Sequence, residues 1–497
     1  MFGARMKRIL LIFAALAPFA AGCASIAPVR QAAVTPPVAY QAPQPGHDGL
    51  QPAAIDRWWT LYGDAQLENL VDLALANAPD AKDALAKLEQ ANAIRTGTLD
   101  QLYIPQSTVS GSATETHTDV LSSSSTIPGF TGFTTAGNTT SLSGNFNVSW
   151  ELDLFGRRAA GRRAANADFY TAAFTYEATR TALIANVAQS LFDARGIALQ
   201  LQDAQETLRI DQEIQRIVQT KFDHGLVPEG DLDQAVANAE SAGAQLANLQ
   251  SQLSAARRSL LVLVGKGFDP LQSLEAAAQL GVPPPVPASV PGDLLRRRPD
   301  VRAAEMRITS ATGTLKVDEL AVLPTLKINP GLTLSQSTGP FGATSAAWSI
   351  AGNVTQPVLD RPRLIAQMHA QRAVAEQDVI AYEKAVQTAY GDTETALTYL
   401  ESDGRRVQML KASEARAHSA YDKAKIGYDR GFNDLTTTLT TEATWRSIEG
   451  QLSSAQATLM DRSVQVFKAL GGGWSPAAPA ALTPYAAKAA KAAEGGQ

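Results

Sequence analysis

Between Phe146 and Leu154 every second residue is apolar: Phe146, Val148, Trp150, Leu152 and Leu154, with Asn147, Ser149, Glu151 and Asp153 between them. A period of two predicts a strand with one apolar and one polar face. It runs through Phe155-Gly156-Arg157 into a stretch with no proline before Pro228. The segment from Arg158 to Phe222, about 65 residues, would span roughly 100 Å as one helix. A short two-faced strand feeding so long a helix excludes an ordinary compact domain. Aromatic residues make up 6% and charged residues 18% of the 497, with Ala, Gln, Ser and Thr abundant, which fits long, closely packed helices better than a large conventional core.

The chain is written twice. LANAPDAKDALAKLEQANA around Pro79-Asp80 is echoed by LLRRRPDVRAAEMRITSATG around Pro299-Asp300, and Tyr103-Ile104-Pro105 by Val322-Leu323-Pro324. KFDHGLVPEGDLDQA from Lys221 is echoed by GYDRGFNDLTTTLTT from Gly427, and LLVLVGKG at Leu260 by VFKALGGG at Val466. A sustained offset of this kind marks repeated structural units. The reading is repeat 1 over 55–270, a Pro-rich linker over 271–292 and repeat 2 over 293–474. Each repeat opens with a first helix (Leu67 to Gly97; Asp293 to Leu320), followed by two strands and two long helices. The strands are expected near 103–117 and 141–154, then 322–337 and 345–356. The long helices are expected over 156–222 and 229–264, then 361–427 and 434–470.

In repeat 2, Leu326, Ile328, Leu332 and Leu334 alternate with Lys327, Asn329, Thr333 and Ser335. Trp348, Ile350 and Val354 face Ser349, Asn353 and Thr355 in the same way. No set of apolar helices is left over to cover such strands, so they suit a transmembrane barrel, with lipid outside and water inside. Four strands cannot enclose water, and backbone edges cannot stay bare in lipid, so several chains must share one barrel. The return helix carries Leu232, Ala235, Ala239, Ala242, Leu246, Leu249, Leu253, Ala256, Leu260 and Leu263, an unbroken 3,4 spacing. This is a coiled-coil seam and is read as structural packing. Arg157, Arg158, Arg162 and Arg163 follow the strand and are read as meeting lipid head groups or an upper helix layer, or as a solvated run.

The N-terminus is a targeting segment: MFGARMKR is basic and ILLIFAALAPFAAG is apolar but too short to span a membrane. Residues 1–22 read as a signal peptide. Ala-Ala-Gly-Cys23 resembles the tail of a bacterial lipobox, which implies cleavage before Cys23 and diacylglycerol and N-acyl lipid on that residue. Ala24 at the next position implies routing to the outer membrane. Residues 23–54 form a Pro-rich tether expected to be extended and unpacked, and 475–497 a low-complexity tail.

SWELDLFGRRAAGRR (Ser149 to Arg163), LLRRRPDVRAAE (Leu294 to Glu305), the twofold repeat and Cys23 together resemble the outer-membrane factors of bacterial efflux systems, the TolC-like proteins, and among them the NodT-type lipoproteins. The resemblance implies a mainly α fold with membrane β: a homotrimer whose twelve-strand β-barrel takes four strands from each chain and continues as a periplasmic α-helical barrel. It implies passive export through that tube, with a periplasmic membrane-fusion adaptor and an inner-membrane RND-type or other pump as partners. The helix turns are then the periplasmic tip. Gly225, Leu226, Val227, Gly431 and Phe432 are the implied adaptor contacts, with His224 and Asn433 in the same turns. Asp231, Asp233, Tyr428, Arg430 and Asp434 are the implied gate, since a ring of carboxylates at a narrow opening attracts cations. Family members often carry aspartates just inside the second turn, where this chain has Leu435 to Thr441. Each of the named carboxylates also fits a plain helix-start role.

Nothing points to an enzyme. The histidines at 47, 117, 224, 369 and 418 are scattered, with no HExxH, P-loop or dinucleotide motif, and no cofactor or metal is expected. A net charge of −5 gives no footprint for nucleic acid. Besides the drug or small-molecule duct, a type I protein-secretion duct and a lipid-anchored periplasmic coiled-coil adaptor or scaffold stay open. A scaffold's strands would fold into a soluble, covered barrel.

Overall fold

The computed structural model describes residues 28–42, 52–119, 137–287, 291–338 and 342–476. The signal peptide, Cys23, the 120–136 loop and all but the start of the tail lie outside the described residues. Helices α1 (Ala65–Asn77) and α2 (Pro79–Tyr103) precede strands β1 (Gln106–Thr118) and β2 (Gly137–Leu152). Helices α3 (Arg157–Asp223) and α4 (Glu229–Leu263) follow. The same order recurs as α5 (Leu294–Arg297), α6 (Pro299–Leu320), β3 (Thr325–Thr338), β4 (Ala343–Thr355), α7 (Arg361–Asp429) and α8 (Leu435–Ala469).

The first helix expected in each repeat is broken. Ala78 stands between α1 and α2 with ψ 134°, and Arg298 stands between α5 and α6. In both places the next residue is proline, which excludes the helical region for the residue before it and then starts a new helix well. Helix α2 also runs past Gly97 to Tyr103.

The chain divides into two units. The first, built from the described residues of 91–169 and 306–380 with 28–31, holds the sheet. Its strands run antiparallel in the order β1-β2-β3-β4. Val109 pairs with Phe146, Phe146 with Leu332, and Leu332 with Trp348, so the apolar residues of all four strands share one face. Thr333 and Asn145 pair on the other face, and their side chains hydrogen bond at 3.0 Å. Ser112–Ser143 at 2.8 Å and Ser335–Ser345 at 2.7 Å extend that polar ladder. The apolar face is bare: Trp348 is 78%, Ile350 69% and Leu334 55% exposed. Below the sheet the helices approach closely. A Cβ on Gly313 of α6 would lie 3.0 Å from the Ala164 nitrogen of α3.

The second unit, over 32–90, 170–305 and 381–497, holds the main core. Trp58 stacks on Phe467 with centroids 5.5 Å apart, and Ile184, Val187, Leu191 and Phe192 of α3 are buried in the same cluster. The two repeats close alike. A Cβ on Gly265, after α4, would meet the Asn77 carbonyl oxygen at 2.6 Å, and one on Gly471, after α8, the Arg297 carbonyl oxygen at 2.6 Å. Both glycines have positive φ, 78° and 72°.

The tether departs from expectation. Residues 28–42 have no helix or strand, yet Tyr40 and Ala42 are buried. Tyr40 stacks on Tyr390 at 5.9 Å, and the Glu394 carboxylate accepts the N–H groups of Gln41 at 2.6 Å and Ala42 at 2.8 Å. An extended backbone leaves its N–H groups unpaired, and a carboxylate on α7 takes them up.

Candidate functional site

Two turns reverse the long helices, at 224–228 between α3 and α4 and at 430–434 between α7 and α8. They have one geometry. Gly225 N–H bonds the Phe222 carbonyl at 2.8 Å and Leu226 N–H the Lys221 carbonyl at 2.9 Å. Gly431 N–H bonds the Tyr428 carbonyl at 3.1 Å and Phe432 N–H the Gly427 carbonyl at 2.7 Å. Both are Schellman endings, which need a left-handed residue, and Gly225 and Gly431 supply it with φ of 69° and 77°. The apolar residue after that glycine usually packs back on the helix. Here it does not: Leu226 is 73% and Phe432 82% exposed, so each turn carries an apolar side chain into solvent. His224 is exposed and Val227 half-buried, packed against the tip cluster.

The acidic residues read from the sequence sit at helix starts. Asp434 caps α8, its carboxylate accepting the Thr437 N–H at 2.8 Å, and the hydrogen bonds from Thr437 hold it below the usual carboxylate range. Asp231 lies half-buried in the first turn of α4, and Asp233 and Arg430 are exposed. Among the described residues no ion pair links Asp231, Asp233 or Asp434 to Arg430. The threonines at the start of α8 satisfy themselves. Thr438, Thr440 and Thr441 bond the carbonyls four residues back at 3.2, 2.7 and 3.0 Å.

Tyr428 is buried, and its ring lies 3.6 Å from the Lys221 ammonium, which joins the ends of α3 and α7. Around it pack Ile210, Ile214, Val218, Ala235, Tyr421, Leu435 and Trp445. Trp445 is sandwiched: His418 stacks on it at 4.2 Å, the Arg446 guanidinium lies 3.7 Å from its ring centroid, and its indole N–H donates to Glu414 at 2.9 Å. Sequence reading missed Lys221, Asp211, Glu442 and Arg446 as site residues. A charged residue at a seam position, as Glu442 is relative to Trp445, was the available signal.

Further along the same helices, Asp193 of α3 and Asp461 of α8 line a cavity of about 420 Å³ with Ser190, Ser259 and Thr458. Burial, and then Asp193, push the Asp461 carboxyl up to about 8, so Asp461 favours its protonated form at neutral pH. Among the described residues no group of three His, Cys, Asp or Glu could hold a metal ion.

At the strand-to-helix joint Gly156 has φ of 83°. Arg157 lies 3.6 Å from Glu151, and Arg158 donates to the Glu151 carbonyl, so these two arginines fold back on β2. Lys327 of β3 is 3.9 Å from the same Glu151. Arg162 and Arg163 are exposed. Head groups, a helix layer or solvent were the expectation for all four; within the chain the first two hold the joint.

The pyoverdine export outer membrane protein OpmQ of Pseudomonas putida is 26% identical over 452 residues, 90% of this chain and 94% of OpmQ. The cation efflux system protein CusC of Escherichia coli is 26% identical over 429 residues, 84% of this chain and 88% of CusC. Among solved structures, the outer-membrane channel OprN superposes with a TM-score of 0.78 at 25% identity, over 90% of this chain and 99% of OprN. Bare sheet and paired hairpins are thus those of an outer-membrane channel subunit. The family model for outer membrane efflux proteins matches residues 70–266 and 290–472, and the chain belongs to that family.

Proposed function

We propose that three copies of this chain close a twelve-strand barrel in the outer membrane and form a passive export duct. The bare apolar face shared by β1 to β4 carries this reading. Trp348 and Ile350 in water would be an aggregation hazard, whereas in lipid they are stabilised. Among the described residues β1 and β4 each leave one edge unpaired, and pairing β4 of one copy with β1 of the next satisfies both. The helices continue the duct into the periplasm, and Cys23, once lipidated, tethers the chain to the same membrane.

At the tip, Leu226 and Phe432, flanked by Gly225, Val227 and Gly431, dock a periplasmic adaptor, which couples the duct to an energised RND-type pump. Asp231, Asp233, Tyr428, Arg430 and Asp434 form the gate. OpmQ is named for pyoverdine and CusC for cations. By that analogy the cargo is a small molecule or ion.

Single-channel conductance in planar bilayers tests the reading. Small, mostly closed, cation-selective events that widen when Asp231, Asp233 and Asp434 are changed to Ala support duct and gate together. Conductance unchanged by those substitutions keeps the duct and removes the gate assignment. Membrane binding through the lipid with no conductance favours a lipid-anchored scaffold.

A further inference from the structure

Glu442 of α8 is 3% exposed, and its Oε1 has no hydrogen-bond partner. A buried, unpaired carboxylate is costly when charged and much less so when protonated. The groups acting on it come from three helices: Asp211 from α3, Lys425 from α7 and Arg446 from α8 itself. Asp211 is 9% exposed, and the Arg446 Nε and one terminal nitrogen have no partner either. Arg446 is already engaged, 2.7 Å from Glu449 and stacked on Trp445. Tyr421 of α7, its hydroxyl unpartnered, feels the same carboxylates and Glu213 of α3. Beyond them stand Asp203, Glu206 and Arg209 on α3, of which Asp203 accepts from Ser453 at 2.7 Å and Glu206 pairs with Arg209 at 2.6 Å. On α7, Glu414 holds the Trp445 indole, and His418 stacks on Trp445 and lies 3.7 Å from Asp422. Helix α4 brings Leu232 and Ala235 to this packing and no charge that acts on Glu442. Carboxylates therefore outnumber the cations that could neutralise them.

We propose that Glu442 is a proton-held latch: protonated, it lets α8 pack against α3 and α7 next to the turns, and ionised, it is driven from Asp211 and loosens the hairpin tip. Burial, with Asp211 adding to it, pushes the carboxyl up to about 7 from its ordinary 4.5. A raised acid stabilises the packed form fully below its ordinary value, and that stabilisation is lost as pH rises through the folded value. The latch thus weakens between about pH 4.5 and 7 and is fully released above that window. The consequence for conduction rests on the duct reading; the latch itself does not.

Hydrogen–deuterium exchange of the full-length protein in detergent tests it at pH 5 and pH 8, after correction for the intrinsic rate. In the wild type, peptides over 425–445 should exchange faster at pH 8 by up to nearly two orders of magnitude, since each unit of pKa shift is a factor of ten in the linked equilibrium and most of the shift from 4.5 to about 7 acts between these pH values. Glu442→Gln should hold the slow rate at both values. Asp211→Asn removes the neighbouring charge that raises Glu442, so its transition should lie at lower pH than in the wild type and the difference between pH 5 and pH 8 should shrink. A wild type with no pH dependence at the tip overturns the latch, as does a Glu442→Gln protein as pH-sensitive as the wild type. Bilayer conductance on the same samples separates the two ideas. Exchange that follows the prediction in a protein that never conducts keeps the latch and removes the duct.

Discussion

Lys221 sets its ammonium 3.6 Å from the ring centroid of Tyr428, so the last turn of α3 is fastened to the last turn of α7. Both residues directly precede the turns that carry Leu226 and Phe432. A cation over an aromatic face is worth about 0.5–1 kcal/mol at exposed sites and about 2 when desolvated. Lys221→Met and Tyr428→Leu should therefore show a coupling of roughly 1 kcal/mol in a double-mutant cycle of unfolding. In bilayers either change should raise the open probability severalfold. Additive effects in the cycle would mean that the contact holds nothing.

Asp434 serves as a helix cap and as a proposed gate charge, and the two roles separate by substitution. Asn caps as well as Asp, whereas Ala does not. Asp434→Asn should keep the thermal stability and lose part of the cation selectivity, and Asp434→Ala should lose both. Because its carboxyl is held low, the cap contributes above the ordinary carboxylate value and fades as pH falls through the folded value. Melting curves at pH 7 and pH 3 check this.

The Asp193–Asp461 pair gives a pH dependence of the opposite sign. Asp461 is raised from 3.8 to about 8, so the packing of α8 on α3 is strongest in acid and weakens progressively as pH rises to about 8. Asp461→Asn should flatten the melting temperature between pH 5 and 9 and raise it at the alkaline end. A steeper profile in the variant would show that another group is titrating.

Trp348 and Ser349 are sequence neighbours on opposite faces of β4. Arg on a lipid-facing strand position costs about 2–4 kcal/mol at the bilayer midplane, while lumen positions tolerate charge. Trp348→Arg should abolish assembly in the outer membrane, and Ser349→Arg should leave it intact and alter ion selectivity. Fractionation followed by conductance distinguishes them.

Gly265 and Gly471 close the two repeats against backbone oxygens 2.6 Å from where a Cβ would stand. Alanine at either place must both clash and take up positive φ, so each substitution should cost on the order of 1–3 kcal/mol. Denaturant unfolding of the two single variants should give similar losses, because the sites are copies of one another.

Much of this was legible in the order of residues. Alternation from Phe146 to Leu154 marks β2, and the same pattern marks β3 and β4, because a strand writes its two faces directly into the sequence. β1, rich in Ser and Thr, was visible only through the repeat. The glycines at 225 and 431 announce the turns, since few other residues take up a left-handed ending. The prolines at 79 and 299 end one helix and begin the next, whereas the expected first helices ran through them.

Sequence by itself determined the kinds of element, their order and their duplication, since periodicity and turn chemistry act over a few residues. Tertiary structure alone decided that Lys221 meets Tyr428, that Asp193 and Asp461 share a cavity, that Glu442 is buried beside Asp211, and that the tether packs through Tyr40 on Tyr390. Each pairing joins residues far apart in the chain and depends on how one helix is rotated against another. A few degrees of that rotation move a side chain from seam to solvent, and no local pattern records it.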